Sequence, residues 1–227
     1  MHDLKKTRTQ IIQISVVMIS MMFVVDAIIQ PAFYVKSMIK IVLFLVIPFI
    51  YIKKTRGFEF TKFFRVESRK QLWFSLGLGV IIYGVIMIAY FIFERQLDLG
   101  EIRVILGENL KVNDQNFIWV ALYIALFNSL LEEYFFRGFL FLGLKNVGFG
   151  IASSVLSAFL FAIYHVAIIG TWFEIGLFVL VMLGLFIGGL IFNALNDRNG
   201  NIYNSWLVHM FANFAINTVG LIMFGYV

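Results

Sequence analysis

The sequence predicts an all-α, polytopic transmembrane helical bundle, and three observations support this fold class. Of the 227 residues, 61% are hydrophobic and only 14% are charged, whereas about 25% are charged in a typical soluble domain. The mean hydropathy is +0.92. The apolar residues form continuous runs of the length that a helix needs to cross a bilayer, not the alternating pattern of a membrane β-barrel. The composition therefore excludes a soluble fold.

Seven apolar runs are long enough to be membrane spans. The first, 11–29, contains Asp26, which we place near the outer boundary of the membrane. It lacks a small-residue cleavage site after it, so we expect a retained anchor and not a signal peptide. The second, 32–52, is uncharged only after Lys40, and the third, 72–93, carries no charge. The fourth, 117–144, carries three ionisable residues, and the last three runs are 147–169, 172–195 and 202–224.

The distribution of Lys and Arg predicts a cytoplasmic N-terminus. The segment between the second and third spans carries seven basic residues and two acidic ones, Glu59 and Glu67. The segment between the third and fourth spans carries five acidic residues and three basic ones. By the positive-inside rule the first segment is cytoplasmic and the second is outside. This rule accounts for the net charge of +5, so we expect no nucleic-acid partner. The basic segment could also bind anionic lipid headgroups.

The ionisable residues inside the spans are concentrated in a few places. The fourth span contains Glu132 and Glu133, the fifth contains His165 and the seventh contains His209. Such groups cost several kcal/mol in a membrane and usually face a cavity or a partner. The chain contains no Cys, which excludes a disulfide, a thiolate metal site and a Cys nucleophile. We therefore expect a functional site built from carboxylates and imidazoles.

Helical spacing gives several of these groups a neighbour on the same helix face. Glu133 and Arg137 are four residues apart and can form an ion pair. Glu132 points about 100° away from Glu133 and is left free for another role. Phe161 lies on the face of His165, and Asn213 lies on the face of His209, each again four residues away.

A carboxylate, two imidazoles and an amide are the components of a hydrolytic site. A buried carboxylate can take a proton from water. Alternatively, two His and one Glu can hold Zn²⁺ and leave a position for a bound water. An imidazolium and an Asn amide can both donate to an oxyanion. The residues alone leave both mechanisms open.

Three segments in these spans resemble the motifs of the CPBP family, the CAAX-protease and bacteriocin-processing intramembrane endopeptidases, also called Abi. They occur in the family's order on successive predicted helices: residues 132–138 (EEYFFRG), 161–165 (FAIYH) and 209–213 (HMFAN). The resemblance implies that residues 117–227 form the catalytic core. Residues 1–116 would supply N-terminal helices and the basic loop of the same integrated membrane domain.

The resemblance also implies a role for each motif residue. Glu132 would be the catalytic carboxylate and His165 its water-positioning partner. His209 and Asn213 would stabilise the oxyanion. Glu133 and Arg137 would support the site. The family is described both as a metalloprotease, here with Glu132, His165 and His209 as zinc ligands, and as a metal-free glutamate-dependent protease.

The resemblance implies a membrane-associated protein or peptide as substrate, processed in CAAX trimming, bacteriocin maturation or self-immunity. The small size favours a bacterial plasma membrane. Two other functions remain open from the sequence: a proton-coupled transporter, since Glu and His also relay protons in membranes, and a non-catalytic immunity or scaffold protein.

Two expectations concern geometry. Counted from residue 147 at about 1.5 Å per residue, His165 lies about 27 Å from the inner face of the membrane. This distance is larger than the one expected for Glu132 or His209. The difference shrinks if Gly148 and Gly150 delay the start of the fifth helix. Gly184 and Gly188 form a small-xxx-small pattern, which is typical of close packing between membrane helices.

Overall fold

The computed structural model describes residues 2–55, 63–65, 69–198 and 200–227, and in these ranges it contains helices and no strand. Seven of the helices are long and apolar enough to cross a membrane, which confirms the predicted number of spans. They are α1 (Asp3–Ile29), α2 (Phe33–Lys54), α3 (Arg69–Gln96), α5 (Phe117–Asn146), α6 (Ile151–Ile169), α7 (Ile175–Asp197) and α8 (Tyr203–Met223). A shorter helix, α4 (Leu99–Leu110), precedes α5. Much of the basic segment (residues 56–62 and 66–68) lies outside the described residues.

Helix α5 lies at the centre of the bundle. Every residue from Leu131 to Leu144 is buried, and five aromatic or aliphatic side chains there are completely buried: Phe135, Phe136, Phe139, Leu140 and Leu144. The same hydrophobic cluster includes Met22 of α1 and Phe44 of α2. Phe44 stacks on Phe135 with ring centroids 4.1 Å apart. Residues of both predicted parts, 1–116 and 117–227, therefore share one core.

Two segments of α5 are π-helical, Ile124–Asn128 and Glu133–Leu142. A π-helical turn interrupts the i→i−4 hydrogen-bond pattern, and such turns often occur at functional sites. Side chains of α8 bind backbone carbonyls along the first segment. The indole of Trp206 donates to the carbonyl of Leu126 (3.0 Å), and the amide of Asn213 donates to the carbonyl of Ile124 (3.2 Å). These bonds fix α8 against α5.

The start of α6 reduces the predicted depth difference of His165. Gly148 and Gly150 both have positive φ, 76° and 57°, a backbone conformation that glycine adopts without a steric penalty. The helix therefore begins at Ile151 and not at residue 147. His165 consequently lies only about 21 Å from the helix start.

Close packing between α6 and α7 depends on a different glycine from those that the sequence indicated. A Cβ atom at Gly184 or Gly188 would meet nothing within 4 Å. A Cβ at Gly189 would lie 2.9 Å from the Cα of Ala158. The predicted role of the Gly184–Gly188 pair in close helix packing is therefore wrong, because no neighbouring helix in the described part of the chain approaches either residue.

Candidate active site

Glu132 and Glu133 lie side by side in the centre of α5, with 3% and 0% of their surface exposed. The predicted ion pair between Glu133 and Arg137 is present: Oε1 of Glu133 lies 3.2 Å from Nη1 of Arg137, and both side chains are completely buried. The two carboxylates face different partners, as expected for adjacent residues of a helix. Glu132 is not left free, however, contrary to the expectation from its helical position.

Lys40 of α2 forms an ion pair with Glu132. Its Nζ lies 2.5 Å from Oε1 of Glu132 and donates to Oδ1 of Asn128 at 2.6 Å. The amide nitrogen of Asn128 donates to the same Oε1 atom at 3.0 Å. Lys40 is itself only 4% exposed. Its ammonium lies 4.9 Å from the centroid of the Tyr164 ring, so α2, α5 and α6 all contribute to the environment of the ion pair.

His209 of α8 lies between the two carboxylates. Its Nδ1 is 2.9 Å from Oε1 of Glu133, and its Nε2 is 3.7 Å from Oε2 of Glu132. Since an ionised carboxylate can only accept, Nδ1 carries the hydrogen in the shorter contact. Glu133 thus orients the imidazole. His209 is 6% exposed, so these contacts are largely shielded from solvent.

His165 of α6 reaches the same region. Its Nδ1 makes a 2.7 Å hydrogen bond with the carbonyl of Phe161, which lies on the predicted shared face. The Phe161 ring packs edge-on against both imidazoles, with centroids 4.7 Å from His165 and 5.8 Å from His209. Because Nδ1 is held by the carbonyl, Nε2 is the nitrogen of His165 that remains for chemistry.

Arg137 is held by aromatic rings as well as by Glu133. Its guanidinium carbon lies 4.1 Å from the centroid of Phe161 and 4.9 Å from that of Phe192. Aromatic faces attract a guanidinium, most strongly where water is excluded. Phe192 also stacks on His209, at 5.2 Å. Arg137 therefore supports both Glu133 and the rings that surround the imidazoles.

Three of the four site helices place their ionisable residue at a common depth. Glu132 is fourteen residues before the end of α5 at Asn146, and Lys40 is fourteen before the end of α2 at Lys54. His165 is fourteen residues after the start of α6 at Ile151. Each thus lies about 21 Å from that helix end. His209 is only six residues from the start of α8 at Tyr203, and this helix begins inside the protein, since Asn201 and Ile202 are 3% and 0% exposed.

Asn213 lies one turn beyond His209 on α8. Its amide donates to the backbone of α5 at Ile124. Asn217, one turn further, donates in the same way to Ala121 (2.8 Å). The two amides thus form a ladder along α8, and Asn213 is its member closest to the carboxylates.

The predicted zinc ligands do not fit a metal ion in this arrangement. Among the described residues, no three His, Asp or Glu side chains are grouped so that they could hold one ion. Oε1 of Glu132 already pairs with the Lys40 ammonium at 2.5 Å, a cation that would repel Zn²⁺.

A chain with seven apolar helices and buried Glu and His side chains has the architecture of a multi-pass membrane protein with an ionisable site in its interior. The model of the family described as type II CAAX prenyl endopeptidase Rce1-like matches residues 114–215, which include all three motifs. This match confirms the resemblance to the CAAX-protease family and supports an intramembrane protease in general. No curated protein and no solved structure matches the chain.

The sequence interpretation missed Lys40 and Asn128. Lys40 precedes the uncharged part of the second run, a position that does not by itself indicate a functional charge. A lysine between Ile39 and Ile41 in an apolar run is nevertheless an intramembrane charge, for which a functional partner is the default expectation. Asn128 is one helical turn before Glu132, and this spacing predicts a contact between them.

Proposed function

We propose that the protein is an intramembrane endopeptidase that hydrolyses a peptide bond in a membrane-associated protein or peptide. The observation that carries the proposal is the buried carboxylate of Glu132, whose Oε2 lies 3.7 Å from Nε2 of His209, next to the Phe161 ring that packs against both His165 and His209. The family match adds support, and it points to CAAX-type substrates. Glu132 is the general base that activates water, and His165 positions the water through Nε2.

In the proposed reaction, Glu132 accepts one proton from the water as its oxygen bonds to the scissile carbonyl carbon. The carbonyl oxygen becomes an oxyanion, and His209 donates to it from Nε2. Asn213 donates as well, through the second hydrogen of its amide nitrogen. Glu132 then returns the proton to the leaving amine when the C–N bond breaks. Glu133 and Arg137 take no part in bond making, and they hold His209 in position.

We propose the metal-free mechanism, and the donor set supports it. Lys40 supplies a positive charge beside Glu132, and His209 supplies a donor, so this chain's own residues provide both the base and the oxyanion stabilisation. We further propose a cytoplasmic N-terminus in a bacterial plasma membrane, and the charge distribution of the loops supports this orientation.

The experiment compares membranes that contain the wild-type protein with membranes that contain Glu132→Gln or His165→Ala. Mass spectrometry of peptide termini should find cleavage products in the wild type alone. Glu174→Gln is a matched control, because Glu174 is an exposed acid at the start of α7, and it should cleave like the wild type. Products that persist in Glu132→Gln would refute the proposal. Proton flux in proteoliposomes without new termini would favour the transporter, and immunity that survives Glu132→Gln would favour the scaffold.

A further inference from the structure

The two oxygen atoms of Glu132 have different surroundings. Oε1 accepts from Nζ of Lys40 at 2.5 Å and from Nδ2 of Asn128 at 3.0 Å. Oε2 has neither of these partners, and the atom nearest to it in an ion pair is Nε2 of His209 at 3.7 Å. One oxygen is therefore held by two donors from two helices, while the other faces the imidazole.

Oε2 of Glu132 and Nε2 of His209 are not hydrogen-bonded to each other. Their separation of 3.7 Å is too long for a direct hydrogen bond. A water placed beside the two atoms can lie within hydrogen-bonding distance of both. Oε2 of Glu132 is thus the oxygen that can receive a proton from a water beside His209, and Oε1 is occupied.

The position of Lys40 is rigid. Its Nζ donates to two acceptors, Glu132 and Asn128. It lies over two aromatic rings, 4.9 Å from the centroid of Tyr164 and 5.6 Å from that of Phe44. An ammonium has three hydrogens, so two hydrogen bonds and a ring face leave it little freedom. Lys40 therefore sets the rotation of the Glu132 carboxylate about its last side-chain bond.

We infer that Lys40 is a positioning residue of the proposed protease, which fixes Oε1 of Glu132 so that Oε2 is the oxygen presented to the reacting water. The inference rests on the proposed function. It assigns a role to α2, which lies outside the matched residues 114–215. The N-terminal part of the chain thus takes part in the chemistry through one side chain.

The test compares Lys40→Met with Lys40→Arg. Methionine keeps most of the side-chain volume and removes the charge and the donors, whereas arginine keeps both. The matched control is Lys36→Met, one turn earlier on α2, where Lys36 pairs with Asp26 at 2.5 Å. The assay follows cleavage of a fluorogenic farnesylated peptide that ends in a CAAX tetrapeptide, with the full-length protein in liposomes.

We expect Lys40→Met to lower kcat by at least about 10-fold while KM stays within about twofold, since substrate contacts are retained and the base is misaligned. Lys40→Arg should recover part of kcat, and Lys36→Met should keep the wild-type kcat. A kcat of Lys40→Met equal to that of the wild type would overturn the inference. So would a loss confined to KM, or a Lys40→Arg variant no better than Lys40→Met.

A second measurement needs no substrate and separates this inference from the proposed function. The apparent melting temperature is determined for Lys40→Met, Glu132→Gln and the double variant. The double variant should lose less than the sum of the single losses, because each single change leaves a buried group without its partner. Additive losses would overturn the inference even if the enzyme cleaves the peptide. If the wild type does not cleave the peptide, the proposed function is contradicted. Non-additive losses of melting temperature would in that case still support the Lys40–Glu132 contact.

Discussion

Replacing Arg137 with methionine should destabilise the protein strongly. Arg137 is completely buried, and its guanidinium pairs with Glu133 at 3.2 Å. Removing one partner of a buried ion pair leaves an uncompensated charge and costs about 3–5 kcal/mol. The guanidinium also lies 4.1 Å from the centroid of Phe161, and a desolvated contact of this kind contributes about 2 kcal/mol. Because the two contributions overlap in one side chain, we take about 3–5 kcal/mol as the expected loss.

The chain offers a matched control in Arg103. It forms an ion pair with Asp114 at 2.7 Å, but the two side chains are 44% and 60% exposed. An exposed pair of this kind contributes about 0–1 kcal/mol. Arg103→Met removes the same chemical group from the surface, so the difference between the two variants isolates the effect of burial.

The assay is thermal unfolding of the purified proteins in one detergent. For a chain of this size, each kcal/mol shifts Tm by about 2–4 °C. Arg137→Met should therefore lower Tm by about 6–20 °C, and Arg103→Met by no more than about 4 °C. Adding Glu133→Gln to Arg137→Met should recover part of the loss, because the uncompensated carboxylate is gone. Equal shifts for the two arginine variants would refute the reasoning.

Three further predictions concern packing, orientation and metal dependence. Gly189→Ala should lower the free energy of unfolding by about 1–3 kcal/mol, because its Cβ would lie 2.9 Å from the Cα of Ala158. The control is Gly188→Ala, whose Cβ would meet no described atom within 4 Å and which should leave the stability unchanged. Glu133→Gln should lower kcat about 10- to 100-fold, because His209 loses the carboxylate that orients Nδ1, and an unchanged kcat would contradict that role. A chelator should leave cleavage of the farnesylated peptide unchanged, with no stoichiometric metal in elemental analysis of the purified protein; inhibition reversed by added zinc would contradict the metal-free mechanism.

The spans were predictable because their signal is local. A run of about 20 apolar residues identifies a membrane helix without any knowledge of its neighbours. The pair of Glu133 and Arg137 was predictable for the same reason, since both lie on one helix. The late start of α6 was also within reach, because Gly148 and Gly150 permit the positive φ that delays the helix.

The ion pair of Glu132 with Lys40 was not predictable, because the two residues are 92 positions apart in the sequence. Helical periodicity shows which face a side chain occupies and does not show which helix that face meets. The mistaken role of Gly184 and Gly188 has the same cause. A small-xxx-small pattern allows close packing, but only the arrangement of the helices decides that Gly189, and not Gly188, meets Ala158.

The buried charges at the site bear on how the proposed hydrolysis can proceed at this depth. In the proposed reaction His209 donates from both ring nitrogens and is therefore positively charged, so Lys40, Arg137 and His209 carry three positive charges, and Glu132 and Glu133 carry two negative ones. In the proposed reaction the proton passes from water to Glu132 while a negative charge forms on the carbonyl oxygen, so the total charge of the site does not change. The negative charge moves from Glu132 to the carbonyl oxygen, which lies beside His209 in the proposed reaction. Glu133 already orients the His209 imidazole. Creating additional net charge in a low-dielectric interior is the costly step, and this arrangement avoids it.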